Sequence, residues 1–314
     1  MVIMLFLGLS FYLFSRGIYL RFMLRTDSIF AGRSGFFVLT VHSFALLIIV
    51  TFLYANYVEP SQLTYPRYTF ESSKITKNIR MVFLSDLDWP VTGVDILRQT
   101  GPDTEADQFS GGPIGAINSF APQVIFVGGD MITEPQTAIP EEFFRRLNCQ
   151  KRYGCLGNVD PVADITFYKK CGITSVNDAT MPFSVDGAEI QLLGKAWSGS
   201  DITLFTAPPS DSFRVFLTHS PDYIAAAAVF GFDLYLSGHT HGGQVRFPFK
   251  ENIFVPSDLG QLYPYGHFLR ENMNVVVTKG LGMVGGTVPR IRFFCPPEIV
   301  FIEIAPLTAK ETTK

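Results

Sequence analysis

The sequence predicts an α/β domain carried behind an apolar N-terminal helix, and three observations predict it. Residues Phe36 to Tyr57 read FFVLTVHSFALLIIVTFLYANY, close to the roughly 20 apolar residues that a membrane-spanning helix needs. Beyond Glu59 and Pro60, short β-rich runs alternate with helical patterns, as in layered α/β domains. Five of those runs end directly in Asp, Asn or His, the residue types that bind metal ions.

Composition supports the first point. Of 314 residues 47% are hydrophobic and only 17% charged, and the mean hydropathy is +0.23, too apolar for an ordinary soluble chain. An earlier apolar run, Met1 to Phe14, precedes Arg16, Arg21, Arg25 and Arg33. It reads as a first span, an interfacial helix or a signal-like segment. The stretch that follows, SRGIYLRFMLR, offers no small-residue cleavage site, so both segments are expected to stay in the mature protein. Orientation stays open, because Arg67, Lys74, Lys77 and Arg80 beyond the second run balance the Arg-rich loop before it. His42, inside the span, is expected to face a partner helix.

A balance of 25 basic against 28 acidic residues, net charge −3, gives no general attraction for nucleic acid, which is excluded as a partner. With 30 Phe, 12 Tyr and 2 Trp, the chain has ample apolar surface to fold, which excludes extended disorder. Cys149, Cys155, Cys171 and Cys295 form no CxxC pair and are expected to be buried free thiols, which favours a reducing compartment.

The domain's expected strands are Arg80 to Leu84, Val124 to Val127, Tyr153 to Leu156, Ile190 to Leu193, Arg214 to Leu217, Leu234 to Leu236, Val275 to Val277 and Ile299 to Ile304. FLSDLD ends in Asp86 and Asp88, VIFVGGD in Asp130, and YGCLGNVD in Asn158 and Asp160. FLTH gives His219, and LYLSGHTH gives His239 and His241. Taken singly, an Asp after a strand is a turn residue or helix cap. Five such endings in order, with Gly permitting sharp turns, predict convergence on one sheet edge and a metal site.

Together these residues resemble the calcineurin-like metallophosphoesterases, whose signature runs DxH, GD, GNHD, a lone His and GHxH. The resemblance spans about Arg80 to Ile304 and includes THSPD, LSGHTHGGQV, the KGLG of Lys279 to Gly282 and the CPPEI of Cys295 to Ile299. It points to the membrane-anchored bacterial branch, and within it to the UDP-2,3-diacylglucosamine pyrophosphatases of lipid A biosynthesis. The resemblance implies a four-layer α/β/β/α sandwich and two divalent metal ions. One would be held by Asp86, Asp88, Asp130 and His241, the other by Asp130 as bridge, Asn158, His219 and His239. Asn158, Asp160 and His239 are the candidate catalytic groups, Asp160 by orienting the Asn158 loop. The domain order implied is a membrane segment over 1–58, a linker over 59–78, the phosphoesterase domain over 79–305 and a tail over 306–314.

Two positions depart from the signature. DxH is here Asp86, Leu87, Asp88, so a carboxylate replaces an imidazole. Three carboxylates favour a harder ion, Mn²⁺ first, with Mg²⁺, Fe or Zn²⁺ as alternatives. GNHD is here Gly157, Asn158, Val159, Asp160, so the proton-donating His is absent. An alkoxide leaving group without a proton donor would react about 10²- to 10⁴-fold more slowly. A phosphate monoester, whose second pKa is about 6, can leave as an anion.

The implied reaction is therefore attack by a hydroxide shared between the two metals on UDP-2,3-diacylglucosamine, giving UMP and 2,3-diacylglucosamine 1-phosphate. The implied location is the bacterial inner membrane with the domain on its cytoplasmic face, and the implied partners are the membrane and a nucleotide-linked lipid. Two alternatives stand beside it: an exported, membrane-anchored envelope phosphoesterase, and a catalytically dead scaffold. Arg145, Arg146, Lys151 and Arg152, with Lys169 and Lys170, read either as a solvated face or as a surface for anionic groups. Trp89, Phe247, Phe249, Tyr263 and Tyr265 follow the motifs closely, as core or as an acyl groove. TGPDTEADQFSGG, within Val91 to Gly112, reads as a mobile loop able to cap the site.

Overall fold

Parallel strands whose ends share one edge explain why the motifs meet. The computed structural model describes residues 11–18, 31–89, 112–133, 140–160, 166–197, 211–247, 255–285 and 289–307. Its strands are β1 (Arg67–Ser72), β2 (Ile79–Leu84), β3 (Val124–Val127), β4 (Arg152–Gly154), β5 (Thr174–Ser175) and β6 (Ala179–Val185), followed by β7 (Ala188–Lys195), β8 (Phe213–Thr218), β9 (Leu234–Ser237), β10 (Gly266–Arg270), β11 (Met273–Val277) and β12 (Val300–Pro306). They form two six-stranded sheets, ordered β1-β12-β2-β3-β4-β5 and β10-β11-β9-β8-β7-β6. β2 to β5 run parallel in the first. β7, β8, β9 and β11 run parallel in the second.

Central strands such as β2 and β8 are apolar on both faces because both faces are covered. Met81, Phe83 and Phe126 of the first sheet pack with Leu192, Val215, Leu217 and Leu236 of the second, which is the core between the sheets. The opposite face of the first sheet, with Val82, Leu84, Ile125 and Val127, packs on Ile114, Ile117, Phe143, Phe144 and Phe167 from three helices. The outer face of the second, with Phe216, Tyr235 and Val277, packs on Ile224 and Ala227. These are the four layers α/β/β/α. Each fully buried Phe contributes about 1.5–3 kcal/mol, so many such rings hold the edge rigid.

The apolar segment forms the helix Ala31–Leu53, then a π turn over Tyr54–Val58 and a 3-10 turn over Glu59–Ser61. Pro60 has no N–H to continue the ladder, and the chain leaves helical geometry at Gln62 (φ −88°, ψ 74°). Thr40–Ser61 is long and apolar enough to cross a membrane. His42 meets residues of an earlier helical stretch: its Nε2 lies 3.2 Å from Ser15 Oγ and its ring 5.1 Å from that of Tyr12.

Four strands escaped the sequence reading: β1, β5, β6 and β10. β1 lies inside 59–78, the expected linker, and pairs in parallel with β12. All four carry exposed or half-buried positions, and β5 has two residues, so their apolar signal is weak. Cys149, Cys155, Cys171 and Cys295 are buried free thiols. Arg152 is no surface cation: it is buried and donates to the carbonyls of Leu147, Cys149 and Cys171. Arg145 pairs with Glu142. Of the proposed capping stretch only Gly112 is described, and Phe249 and most of Met1 to Phe14 also lie outside the described residues.

Candidate metal centre

Each candidate ligand follows the C-terminal end of a parallel strand, where open α/β sheets place their sites. Asp86 and Asp88 follow β2, Asp130 follows β3, Asn158 follows β4, His219 follows β8, and His239 and His241 follow β9. The backbone leaves these strands sharply. Asp86 (φ 50°), Asp88 (50°), Asp130 (49°), His239 (67°) and His241 (47°) all adopt left-handed backbone, which is uncommon outside glycine and clusters at functional sites. The loops are laced together: Asp86 N–H donates to Gly129 O and Asp88 N–H to Asp130 O, both at 3.0 Å.

His219 sits at the middle. Its Nδ1 lies 2.7 Å from Gly128 O, so that nitrogen donates to the carbonyl and turns Nε2 toward the ligand cluster. Nε2 lies 3.2 Å from Asp130 Oδ2, 3.0 Å from Asn158 Oδ1 and 3.1 Å from His239 Nδ1. His239 is hydrogen-bonded to the Pro256 carbonyl, which directs its other nitrogen into the same space. Asp130, His219 and His239 each offer a ligand atom within 4.8 Å of the others. Two ligand atoms on one ion at about 2.0–2.2 Å lie roughly 3.0–3.4 Å apart, the spacing seen here.

On the other side, His241 Nε2 lies 3.4 Å from Asp86 Oδ1 and 3.7 Å from Asp88 Oδ2. Asp86 also accepts His239 N–H at 3.0 and 3.1 Å. Both Asp88 oxygens are buried and have no hydrogen-bond partner among the described residues. A buried carboxylate with no donor is costly unless a cation meets it. The ligand atoms are thus carboxylate oxygens, an amide oxygen and imidazole nitrogens, a set that fits a pair of divalent cations once His219 gives up its proton.

Protonation follows the same geometry. Burial raises Asp86 to about 6, reinforced by Asp130, and lifts Asp88 well above the usual carboxylate range. Burial would raise Asp130 too, but His219 and the Val159 N–H hold it below its ordinary value. Burial opposes charge on His219, yet Asp130 and Asp86 together push it to about 10. His239 and His241 fall to about 4 and about 3, by burial first and then by neighbouring positive charge. Both present neutral nitrogens, the form that ligates.

Asp160 lies among these loops but points away from the ligands. Its Oδ1 accepts the Met131 N–H at 2.9 Å and its Oδ2 the Gly157 N–H at 2.9 Å, tying the loops after β3 and β4 together. Val159 directs its backbone N–H to Asp130 Oδ1 at 2.9 Å. The structure adds two residues that the sequence reading passed over. Trp197, 39% exposed, lays its ring 4.6 Å from that of His239 and 5.7 Å from that of His219. It follows the end of β7, so the strand-end logic that found the ligands could have found it. Arg292, fully buried, donates to the carbonyls of Lys279, Gly280, Gly282 and Cys295, and no motif marks it.

No protein-family model matches the chain. It is 30% identical over 266 residues to the uncharacterized metallophosphoesterase YkuE of Bacillus subtilis, covering 78% of this chain and 87% of that one. The chain belongs to the metallophosphoesterases. These are hydrolases of phosphate esters that work with divalent metal ions, in keeping with the buried Asp/His nest. This metallophosphoesterase is also 27% identical over 199 residues to phosphodiesterase YaeI of Escherichia coli, covering 58% of this chain and 70% of the relative. Among solved structures, NAD nucleotidase of Haemophilus influenzae aligns with TM-score 0.38 and 13% identity, over 67% of this chain and 46% of that one.

Proposed function

We propose that this metallophosphoesterase is a membrane-anchored, Mn²⁺-dependent pyrophosphatase that hydrolyses UDP-2,3-diacylglucosamine to UMP and 2,3-diacylglucosamine 1-phosphate. The observation that carries the reading is Val159. Its backbone keeps the loop's hold on Asp130, while its half-buried isopropyl group has no proton to give at the place where the family signature has His. A site without that acid suits a leaving group that departs as an anion, and a sugar 1-phosphate does so because its second pKa is about 6.

Asp86, Asp88, Asp130, Asn158, His219, His239 and His241 would hold the cations. Two bound divalent ions would supply Lewis-acid polarisation of the phosphoryl oxygens and an acidified water. The chain's own groups do the rest. Gly128 O and Pro256 O fix the tautomers of His219 and His239. Asp160 holds the Met131 and Gly157 backbones, and through them Asp130 and Asn158, in register. Trp197 offers an exposed aromatic face beside His239 on which a uracil ring can stack. Water oxygen adds to the uridine-side phosphorus and gives its proton to solvent as the bond to the bridging oxygen breaks, and the sugar phosphate leaves with that electron pair.

The test is turnover of UDP-2,3-diacylglucosamine by detergent-purified protein with Mn²⁺ in ¹⁸O-labelled water, with Asp130→Ala as control. Label in UMP, abolished by the substitution, is the expected result. Label in the sugar phosphate, or no turnover by folded, metal-loaded protein, would overturn the assignment. The name of the E. coli relative favours a second reading, a plain phosphodiesterase, which predicts that alkyl phosphodiesters are cleaved as fast as the pyrophosphate.

A further inference from the structure

The apolar helix does not end in a free tether. Arg292 N–H donates to Ala55 O at 2.9 Å, the Glu59 carboxylate accepts the Cys295 N–H, and Thr64 N–H donates to Pro297 O at 2.9 Å. Ala55 and Glu59 are buried at this junction. Helix and domain therefore meet through a hydrogen-bonded joint, and whatever surrounds the helix also reaches the surface around Arg292–Cys295.

That surface is aromatic and exposed. Tyr57 is 54%, Phe294 49% and Phe247 53% solvent-accessible. The Tyr54 and Phe293 rings meet edge to face at 6.4 Å, and Phe293 and Phe294 at 4.5 Å. Phe294 adopts left-handed backbone (φ 52°), which a bulky residue rarely does. Arg246 N–H donates to Phe293 O at 2.9 Å, placing the Phe247 segment alongside, and the Arg246 guanidinium stacks on Tyr265 at 4.4 Å. Aromatic rings beside a basic group at the end of an apolar helix are the pattern of a membrane–water boundary. The same segment begins at the His241–Gly243 turn, so the collar borders the metal centre.

We infer that Tyr57, Phe247 and Phe294 form a bilayer-contacting collar that holds the metal centre's rim at headgroup level, with Arg246 meeting anionic lipid phosphates. This rests on the proposed action upon a lipid-linked substrate, whose scissile phosphates would lie at that depth. The helix supplies the continuity: its exposed Phe44, Leu46, Leu47 and Ile48 lead toward the collar, and contiguous exposed apolar surface marks a contact with a partner or a membrane.

The test places the full chain in nanodiscs of anionic phospholipid and reads tryptophan fluorescence of Phe294→Trp and Phe247→Trp. Val229→Trp is the control, because Val229, 78% exposed, closes the helix after β8 and so lies at the opposite sheet edge. Lipids brominated near the headgroup should extinguish most of the emission added at 294 and 247, and none of that added at 229. Equal quenching at all three positions, or none, would overturn the inference. So would blue-shifted, unquenched emission at 294 with two chains per disc, which would assign the collar to a second copy. Hydrolysis of bis(4-nitrophenyl) phosphate by the same samples reports separately on whether the phosphoesterase reading holds.

Discussion

Gly157→Ala tests the metal-centre geometry most directly, because the glycine lies against the candidate bridging ligand. A methyl group there would sit 2.0 Å from Asp130 Oδ1, 2.5 Å from its backbone N and 2.7 Å from Cγ. Ordinary contact starts near 3.4 Å, so the carboxylate or its loop must yield by about 1.4 Å. Metal–ligand distances tolerate only about 0.2 Å. Overpacking costs about 1–3 kcal/mol, and disturbing the Val159 N–H bond to the Asp130 carboxylate costs about 1.5–3 kcal/mol. Reduced freedom of the unfolded chain returns about 0.4–1 kcal/mol. The net is roughly 2–5 kcal/mol of destabilisation, which at about 2–4 °C per kcal/mol lowers Tm by roughly 5–20 °C. Melting curves are recorded in EDTA and in excess Mn²⁺. Wild type should gain about 2.7 kcal/mol at a hundredfold excess over Kd, and Gly157→Ala should gain almost nothing. A variant that melts with wild type and keeps the full Mn²⁺ shift would refute the placement of Asp130.

Further outcomes follow from the same site. Ligation requires Asp86 and His219 to shed protons whose folded pKa values lie near 6 and 10. Mn²⁺ affinity should therefore rise with pH, about tenfold per unit per proton displaced, most steeply below 6; chelator competition at pH 5.5 and 7.5 measures it, and a flat profile counts against these ligands. Val159→His should raise turnover of an alkyl phosphodiester by about 10- to 100-fold while leaving the pyrophosphate rate nearly unchanged, and equal effects on both would remove the leaving-group explanation. Trp197→Ala should weaken UMP binding by about 1–3 kcal/mol and leave ribose 5-phosphate binding untouched, as read by calorimetry. Arg292→Lys, unable to reproduce the guanidinium fork, should lose two or more charged hydrogen bonds, roughly 3 kcal/mol or more, visible as a lower melting temperature in EDTA.

Much of this was legible in the chain because central parallel strands are apolar on both faces and stop abruptly at a polar residue. β2, β3, β8 and β9 announce themselves that way, and the residues after them are the candidate ligands. Edge strands carry no such mark: in β6 every residue before the buried Val185 is exposed or half-buried. Arg152 reads as one of a basic run, yet the carbonyls of Leu147 and Cys149 just before it and of Cys171 across the fold claim it. Arg292 is equally silent, since its role is to cap carbonyls brought together only by folding. Nor does spacing reveal that Asp160 faces backbone N–H groups while Asp88, with the same flanking pattern, faces none.

That contrast bears on why the ligand loops keep their shape. Five ligand positions hold left-handed backbone, at about 1 kcal/mol or more each, so the strain together amounts to at least about 5 kcal/mol, comparable to the lower end of a domain's whole stability. Two compensations are visible. Cross-loop hydrogen bonds, from Asp86 N–H to Gly129 O, Asp88 N–H to Asp130 O and the pair accepted by Asp160, need the turned backbone in order to form. The second is charge: both Asp88 oxygens lack a donor among the described residues, and three buried carboxylates crowd one space, which the proton on His219 offsets in part and bound cations would offset further. Backbone strain, orphaned carboxylate and converging imidazoles thus have one common solution. The loops after five different strands should stiffen together when metal binds, because each supplies atoms to the same small space.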